Sequence, residues 1–249
     1  MDYVSKFLEH LQYEKNYAAH TLTAYRTDLS AFQHFLSETY QDVPIEACSY
    51  AMIRSWIVDL VEKDLNKRTI NRKLTSLKVF FNFLLKIEAI RKNPMATHKS
   101  LKTQQKQELA FSQTEVKGVF ELFDRSTLIG QRDQLIVELL YATGMRRQEL
   151  INLKTVDIGF SQKSLKVLGK RNKERLIPVS EVLLSKISAY LKFQEEETET
   201  VSSYLIQTQK GQQAYPNLIY RVVRSYFNAV SVKQKCSPHM IRHSFATHL

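Results

Sequence analysis

The chain has 249 residues, enough for one or two domains, with 36 Lys/Arg against 25 Asp/Glu and a formal net charge of +11. A hydrophobic share of 43% excludes a disordered chain. No apolar run approaches the roughly 18 residues of a membrane span, and we expect no signal peptide. The charge indicates a polyanionic partner, most often nucleic acid. An anionic membrane is the alternative, but no lipidation signal or basic amphipathic terminus supports it.

Only two cysteines occur, Cys48 and Cys236, and they lie far apart in the sequence. They fit no metal-ligand spacing, so the simplest interpretation is a protein of the reducing cytoplasm. His239 and His243 stand four residues apart, a spacing that metal sites use. Neither the glutamate of a zinc-protease helix nor a suitably spaced cysteine accompanies them. We therefore predict no metal and no cofactor, and interpret His243 as a buried, hydrogen-bonded structural residue.

Four helical patterns fill the first part of the chain. Apolar residues recur at helical spacing in "DYVSKFLEHLQYEK", "AHTLTAYRTDLSAFQHFLSETY", "SYAMIRSWIVDLVEKD" and "KRTINRKLTSLKVFFNFLLKIEAI". This spacing predicts a four-helix domain over residues 1–93. Phe80, Phe81 and Phe83 follow the apolar spacing, so we predict that they form core and not a platform for stacking bases.

The fourth helix also has a basic side. Its other face carries Lys67, Arg68, Arg72 and Lys73. From residue 63 to 99 there are ten Lys/Arg against two acids. Few acids oppose this charge, which favours binding to DNA phosphates over a role in solubility alone.

The region after Pro94 changes character. Residues 94–110 are polar and basic with little periodicity, which predicts an interdomain linker before a second domain over 111–249. A helix with a capping box is predicted from Ser112, and Gly144 ends the apolar helix "RDQLIVELLYATG".

Another helix is predicted over "MRRQELINL", and more begin at Ser180, near Asn217 and at Ser237. Between them, "SLKVLGK" and "KERLIPVS" alternate apolar and polar residues around a turn, which predicts a β-hairpin. The expected fold is mainly α with a small β-sheet, and the second domain is of the α+β class.

Positive charge gathers at three places in the second domain. These are Arg146 with Arg147, the hairpin tip with Lys170, Arg171 and Lys173, and His239 with Arg242 at the start of the last helix. Arginine binds phosphate through a planar fork of donors, and histidine transfers protons near neutral pH. The combination suits phosphoryl transfer in which protein side chains supply the charge.

Three segments resemble successive signatures of the tyrosine site-specific recombinases, the phage-integrase family, and most closely its Xer-type members. They are "YATGMRRQEL", "VLGKRNKERLIPV" and "SPHMIRHSFATHL", in that order. The first domain, with "HTLTAYRTDLSAF", is similar to the family's core-binding domain. The resemblance implies a DNA strand-transfer enzyme, with double-stranded DNA and other recombinase protomers, in a tetramer on DNA, as partners.

The resemblance also implies residue roles. Arg146 is expected to clamp the scissile phosphate, with His239 and Arg242 completing the cradle. Lys170 is expected to act as general acid for the leaving 5′ oxygen. Arg147 and Lys173 are expected to contact DNA, although Arg147 also competes with Arg146 for the clamping role. Glu149, three residues after Arg146, is expected to orient its side chain.

The family's nucleophile is a tyrosine some tens of residues after the His-x-x-Arg helix, and no tyrosine follows Tyr226. We therefore expect that the chain lacks the C-terminal segment with this residue and binds DNA without cleaving it. A DNA-binding regulator or recombinase remnant without catalysis is an alternative, and a basic scaffold for acidic proteins is another. Chromosome-dimer resolution and mobile-element integration both remain open.

Overall fold

The computed structural model describes residues 2–103, 110–169, 173–197, 202–233 and 235–248. The chain forms two compact units, residues 1–106 and 107–249. None of the helices in these described ranges is long and apolar enough to cross a membrane.

The first unit is helical, as the apolar spacing predicts. Its helices are α1 (Tyr3–Glu9), α2 (Ala19–Tyr40), α3 (Tyr50–Glu62) and α4 (Lys67–Lys86). A π-helical turn, His10–Glu14, extends α1, and a 3₁₀ turn covers Ile45–Ala47. Asn66 caps α4 by accepting a hydrogen bond from the Thr69 backbone N–H at 2.8 Å. The four predicted helices are confirmed, whereas the two short turns were not predicted because they have no periodic signature.

Aromatic side chains form much of the first unit's core. Phe7, Phe32, Trp56, Phe80 and Phe81 are all at most 1% exposed. The rings of Phe7 and Phe80 meet edge to face, with centroids 5.4 Å apart. Phe80 and Phe81 are therefore core residues, as predicted, and Phe83 is buried with them.

The first unit extends past its fourth helix. Met95 is fully buried in its core. The Asn71 side chain accepts a hydrogen bond from the Leu101 backbone N–H and donates one to the Leu101 carbonyl, both at 2.9 Å. The segment predicted as linker, 94–110, thus begins with residues that pack on the first unit.

The second unit combines helices with one small sheet, in agreement with the predicted fold class. Its helices are α5 (Gln113–Glu121), α6 (Leu128–Thr143), α7 (Arg147–Asn152), α8 (Glu181–Glu197), α9 (Pro216–Val230) and α10 (Pro238–His248). The predicted capping box at Ser112 is present. The central helix, α6, packs against α8 and α10.

The sheet is antiparallel with strand order β1-β2-β3. The strands are β1 (Ile158–Gly159), β2 (Ser164–Leu168) and β3 (Glu174–Pro178). The pair β2–β3 is the predicted hairpin, with Val167 opposite Arg175. The two-residue β1 was not predicted, because two residues are too few for an alternating pattern to show.

Two contacts fix α10 beside the end of α6. Gly144 ends α6 with a positive φ of 57°, and a Cβ there would lie 2.2 Å from the Phe245 ring. Ser244 is fully buried, and its Oγ accepts a hydrogen bond from the Phe111 N–H at 2.8 Å. The first contact places α10 beside the end of α6, and the second holds it to Phe111, just before α5.

Candidate functional site

Arg146 is held by the acid three residues after it, as expected. Its backbone N–H donates to Glu149 Oε2 at 2.7 Å, and its Nη1 donates to Oε1 at 2.9 Å. The Glu149 side chain is 3% exposed, whereas that of Arg146 is 52% exposed. The buried carboxylate therefore holds the arginine on its protein side, and about half of the Arg146 side chain stays exposed to solvent.

A second arginine completes the environment of Glu149. Arg175 Nη1 donates to Oε1 at 2.7 Å, and its Nη2 donates to Oε2 at 2.8 Å. Burial alone raises the pKa of Glu149, but the hydrogen bonds from Arg175 and Arg146 outweigh it and hold that pKa at about 2. Glu149 is consequently ionised throughout the neutral range.

The two residues from the start of α10 lie at the same place as Arg146. One depression, about 590 Å³ in volume, is lined by Met145, Arg146, Arg147, Tyr220, Ser237, Pro238, His239 and Arg242. We call it the basic depression. Burial lowers the pKa of Arg242, and the positive charge of Arg146 lowers it further. The two guanidinium groups therefore repel each other, and a bound anion would relieve that repulsion.

Arg242 has one buried hydrogen-bond donor that is unsatisfied. Its Nη1 is buried and has no hydrogen-bond partner in the structure. A buried donor without an acceptor is costly, and such donors often mark a ligand site. His239 is exposed at the rim. The basic depression is thus lined by three guanidinium groups, those of Arg146, Arg147 and Arg242, and by the imidazole of His239.

The remaining predicted residues of the second unit are placed as follows. Arg147 also lines the basic depression, but Glu149 holds Arg146 and not Arg147. Lys173 is exposed beside β3, and its carbonyl accepts a hydrogen bond from the Gly169 N–H at 2.7 Å. Lys170, the predicted general acid, lies outside the described residues, as does Arg171.

The prediction for His243 was wrong: it is exposed, because it falls on the outer face of α10.

Sequence reasoning overlooked Arg175 and Tyr220. Arg175 stands opposite the buried Val167, so it lies on the inward face of its strand. A charged residue on an inward face needs a partner, and this was the signal available in the sequence. Tyr220 gave no such signal, because its place in the basic depression depends on how α9 packs.

The basic face of α4, defined by Lys67, Arg68, Arg72 and Lys73, is only partly free. Lys67 and Arg68 are exposed. Arg72 Nη2 donates to Asp28 Oδ1 at 2.9 Å, and its side chain remains 51% exposed. The face therefore presents three exposed cations to solvent.

Lys73 has a different role from the predicted one. Its side chain is only 12% exposed, and its Nζ lies 3.4 Å from Asp28 Oδ1 and 5.9 Å from the Trp56 ring centre. Asp28 is fully buried and also accepts from Ser76 Oγ at 2.8 Å. Lys73 thus balances a buried carboxylate inside the helical unit and does not face a ligand.

Comparison with protein families decides the classification. The model described as "Phage integrase family" matches residues 110–249, and that of its N-terminal SAM-like domain matches residues 4–87. The chain belongs to the phage integrase family. It is similar to tyrosine recombinase XerC of Anoxybacillus flavithermus, with 32% identity over 98% of this chain and 82% of that protein. Tyrosine recombinase XerC of Bacillus pumilus shares 34% identity over 99% of this chain and 82% of its own length.

A solved structure supports the same fold. The integrase of the Tn1549 transposon, in complex with circular intermediate DNA, superposes with a TM-score of 0.75. The match covers 100% of this chain and 87% of that chain, at 19% identity. The fold of this phage-integrase-family member is therefore one already known from a solved integrase.

Proposed function

We propose that this protein is a site-specific DNA recombinase. In the full-length enzyme it would cleave and rejoin DNA strands through a 3′-phosphotyrosyl intermediate. The observation that carries the proposal is the basic depression, which Arg146, His239 and Arg242 line together and where Arg242 has a buried Nη1 without a hydrogen-bond partner. The relatives' name, tyrosine recombinase, agrees with this chemistry.

The chemistry of each residue follows from its donors. Arg146 and Arg242 neutralise the non-bridging oxygens of the scissile phosphate, where negative charge grows in the transition state. His239 donates a hydrogen bond to a phosphoryl oxygen or moves a proton. Lys170, which falls between β2 and β3 in the sequence, protonates the leaving 5′ oxygen. These side chains supply charge and proton transfer, and the proposed reaction uses no metal and no cofactor.

Duplex DNA is the proposed partner, together with other recombinase protomers in a tetramer on DNA. Lys67, Arg68 and Arg72 on α4 would contact phosphates without carrying the chemistry, and Arg147 and Lys173 would add contacts beside the site. Phosphate contacts of this kind position a protein on DNA and make binding depend steeply on salt. A cytoplasmic location agrees with this partner.

A polypeptide of these 249 residues is proposed to bind DNA without cleaving it. Covalent catalysis needs a nucleophile in line with the phosphate. Tyr141 is engaged with His248 Nδ1 at 2.9 Å. Burial raises the pKa of Tyr190 to about 12 and also raises that of Tyr226. Tyr220 lines the basic depression but precedes the His-x-x-Arg helix, so it does not occupy the position of the family's nucleophile.

The test uses a nicked suicide duplex whose core site has first been selected by binding from a random library. We expect salt-sensitive binding, weakened by Arg146→Ala, and no covalent protein–DNA band on a denaturing gel. A chain extended by the C-terminal segment of a relative should give that band. A covalent band from the 249 residues would contradict the non-cleaving proposal, and Tyr220→Phe would then show whether Tyr220 is the nucleophile. Failure to bind any duplex would contradict the recombinase proposal itself.

A further inference from the structure

Arg175 occupies an unusual place for an arginine. It lies on β3, opposite Val167, which is 3% exposed and belongs to the core of the unit. Its neighbour Gly169 leaves room for it, since a Cβ there would lie 3.1 Å from Arg175 Nη1. The guanidinium therefore fits between the hairpin and α7, where Glu149 is its partner.

Arg175 and Arg146 each donate two hydrogen bonds to Glu149, but they use different groups. Arg175 occupies both carboxylate oxygens with its two terminal nitrogens, in the two-pronged geometry that makes arginine–carboxylate pairs strong. Arg146 gives the carboxylate only one guanidinium nitrogen, besides its backbone N–H. Together these bonds fill the roughly four acceptor positions of a carboxylate.

We propose that Arg175 is a positioning residue for the phosphate site. By binding both oxygens of Glu149, it prevents that carboxylate from binding the Arg146 guanidinium through two nitrogens, and so leaves Arg146 available to a phosphate. The inference rests on the proposed function, because the phosphate in question is that of the bound DNA.

The charges of the cluster support this role. Arg146, Arg175 and Arg242 carry three positive charges, and Glu149 carries one negative charge. The net charge of about +2 falls to about +1 without Arg175, assuming that each group keeps its ordinary ionisation. Glu149 would then turn from a shared anchor into a competitor of the phosphate for the same arginine.

The test is a double-mutant cycle with inorganic phosphate as the probe. Binding is followed by the NMR signals of the His239 ring, assigned with His239→Gln. We expect Arg175→Gln to weaken phosphate binding by about tenfold, the order expected for loss of a charge-assisted hydrogen bond. In an Arg146→Ala background, the same substitution should have a clearly smaller effect, limited to the loss of one positive charge, because the positioning effect requires Arg146.

Two further variants make the outcome decisive. Arg175→Lys keeps the charge but binds one oxygen at a time, so it should restore only part of the affinity. Lys166→Gln, on the neighbouring strand, removes a cation that pairs with the exposed Glu174 and should leave binding nearly unchanged. Urea unfolding of each variant identifies any that fails to fold. If Arg175→Gln fails to fold, the phosphate affinity of Arg175→Lys decides whether Arg175 has the proposed role.

Three results would overturn the inference. The first is an equal loss of phosphate affinity on Arg175→Gln in the presence and in the absence of Arg146. The second is no loss of phosphate affinity on Arg175→Gln. The third is full phosphate affinity in Arg175→Lys. If the unchanged protein shows no phosphate response at His239, the proposed phosphate cradle fails, and the inference fails with it. A normal response in the unchanged protein combined with any of the three results rejects the role of Arg175 alone.

Discussion

Each of the two units contains a buried carboxylate that binds two cations, but the hydrogen bonds are distributed differently. In each, a buried carboxylate binds one half-exposed arginine and one more shielded cation. Asp28 holds Arg72, which is 51% exposed, and Lys73, which is 12% exposed. Glu149 holds Arg146, which is 52% exposed, and Arg175, which is 38% exposed.

The difference lies in which cation occupies both carboxylate oxygens. Arg72 itself binds both oxygens of Asp28 with its two terminal nitrogens, which leaves it fewer free donors. At Glu149 the second cation, Arg175, takes that position, and Arg146 keeps most of its donors. The carboxylate thus binds two guanidinium nitrogens of the half-exposed arginine in the first unit and one in the second, although the two arginines are almost equally exposed.

The largest effect is expected from Asp28→Asn. It leaves two cations around a buried neutral amide, and loss of one partner of a buried pair typically costs about 3 kcal/mol or more in unfolding free energy. Urea unfolding of the first unit would measure the change. A cost below about 1 kcal/mol, the range of exposed pairs, would mean that the Asp28 cluster does not stabilise the unit.

The next effect concerns pH and Glu149. Its pKa of about 2 in the folded protein lies below the ordinary 4.5, so its contribution is fully present above pH 4.5 and is lost as the pH falls towards 2. At 1.36 kcal/mol per pKa unit, the contribution is at most about 3 kcal/mol. We expect the unfolding free energy of Glu149→Gln to fall less steeply than that of the unchanged protein between pH 4.5 and 2.5.

Glu115 is the natural control for that measurement. Its pKa is also held at about 2, against the opposing effect of burial, by hydrogen bonds that include one from Lys233. Glu115→Gln should therefore remove a similar part of the pH dependence without affecting the basic depression. Equal slopes for the unchanged protein and Glu149→Gln would contradict the assigned ionisation of Glu149.

A smaller effect separates Arg68 from Lys73 in DNA binding. Replacing the exposed Arg68 by Ala should reduce the slope of log K against log salt by about 0.9, the value for one lost phosphate contact. Lys73→Gln should leave that slope unchanged, because Lys73 faces Asp28. Fluorescence anisotropy titrations at several salt concentrations would measure both slopes. An equal reduction of the salt slope in both variants would show that Lys73 also contacts DNA.

The smallest effect is expected from an exposed pair in the same unit. Lys63 Nζ donates to Asp59 Oδ2 at 2.9 Å, with side chains 62% and 27% exposed. Asp59→Ala should change the unfolding free energy by less than about 0.5 kcal/mol, because water screens the pair. A cost close to that of Asp28→Asn would show that burial is not what makes the Asp28 cluster matter.

The sequence alone was sufficient for the longer elements and for the choice of family. The helices of the first unit follow directly from apolar spacing, and the hairpin follows from alternation, because both periods are local properties of the chain. Gly144 likewise predicts the end of α6, since a left-handed residue there favours glycine. The residues of the three signatures were sufficient to name Arg146, His239 and Arg242.

Only the tertiary structure decided which charged residues are free and which are engaged. Lys73 and Arg68 lie on one helix and look alike in sequence, but Lys73 binds Asp28, 45 residues before it, whereas Arg68 is exposed. Arg175 meets Glu149 because a strand and a helix 26 residues apart pack together. Ion pairs of this kind depend on distances between remote segments, and local periodicity carries no information about those distances.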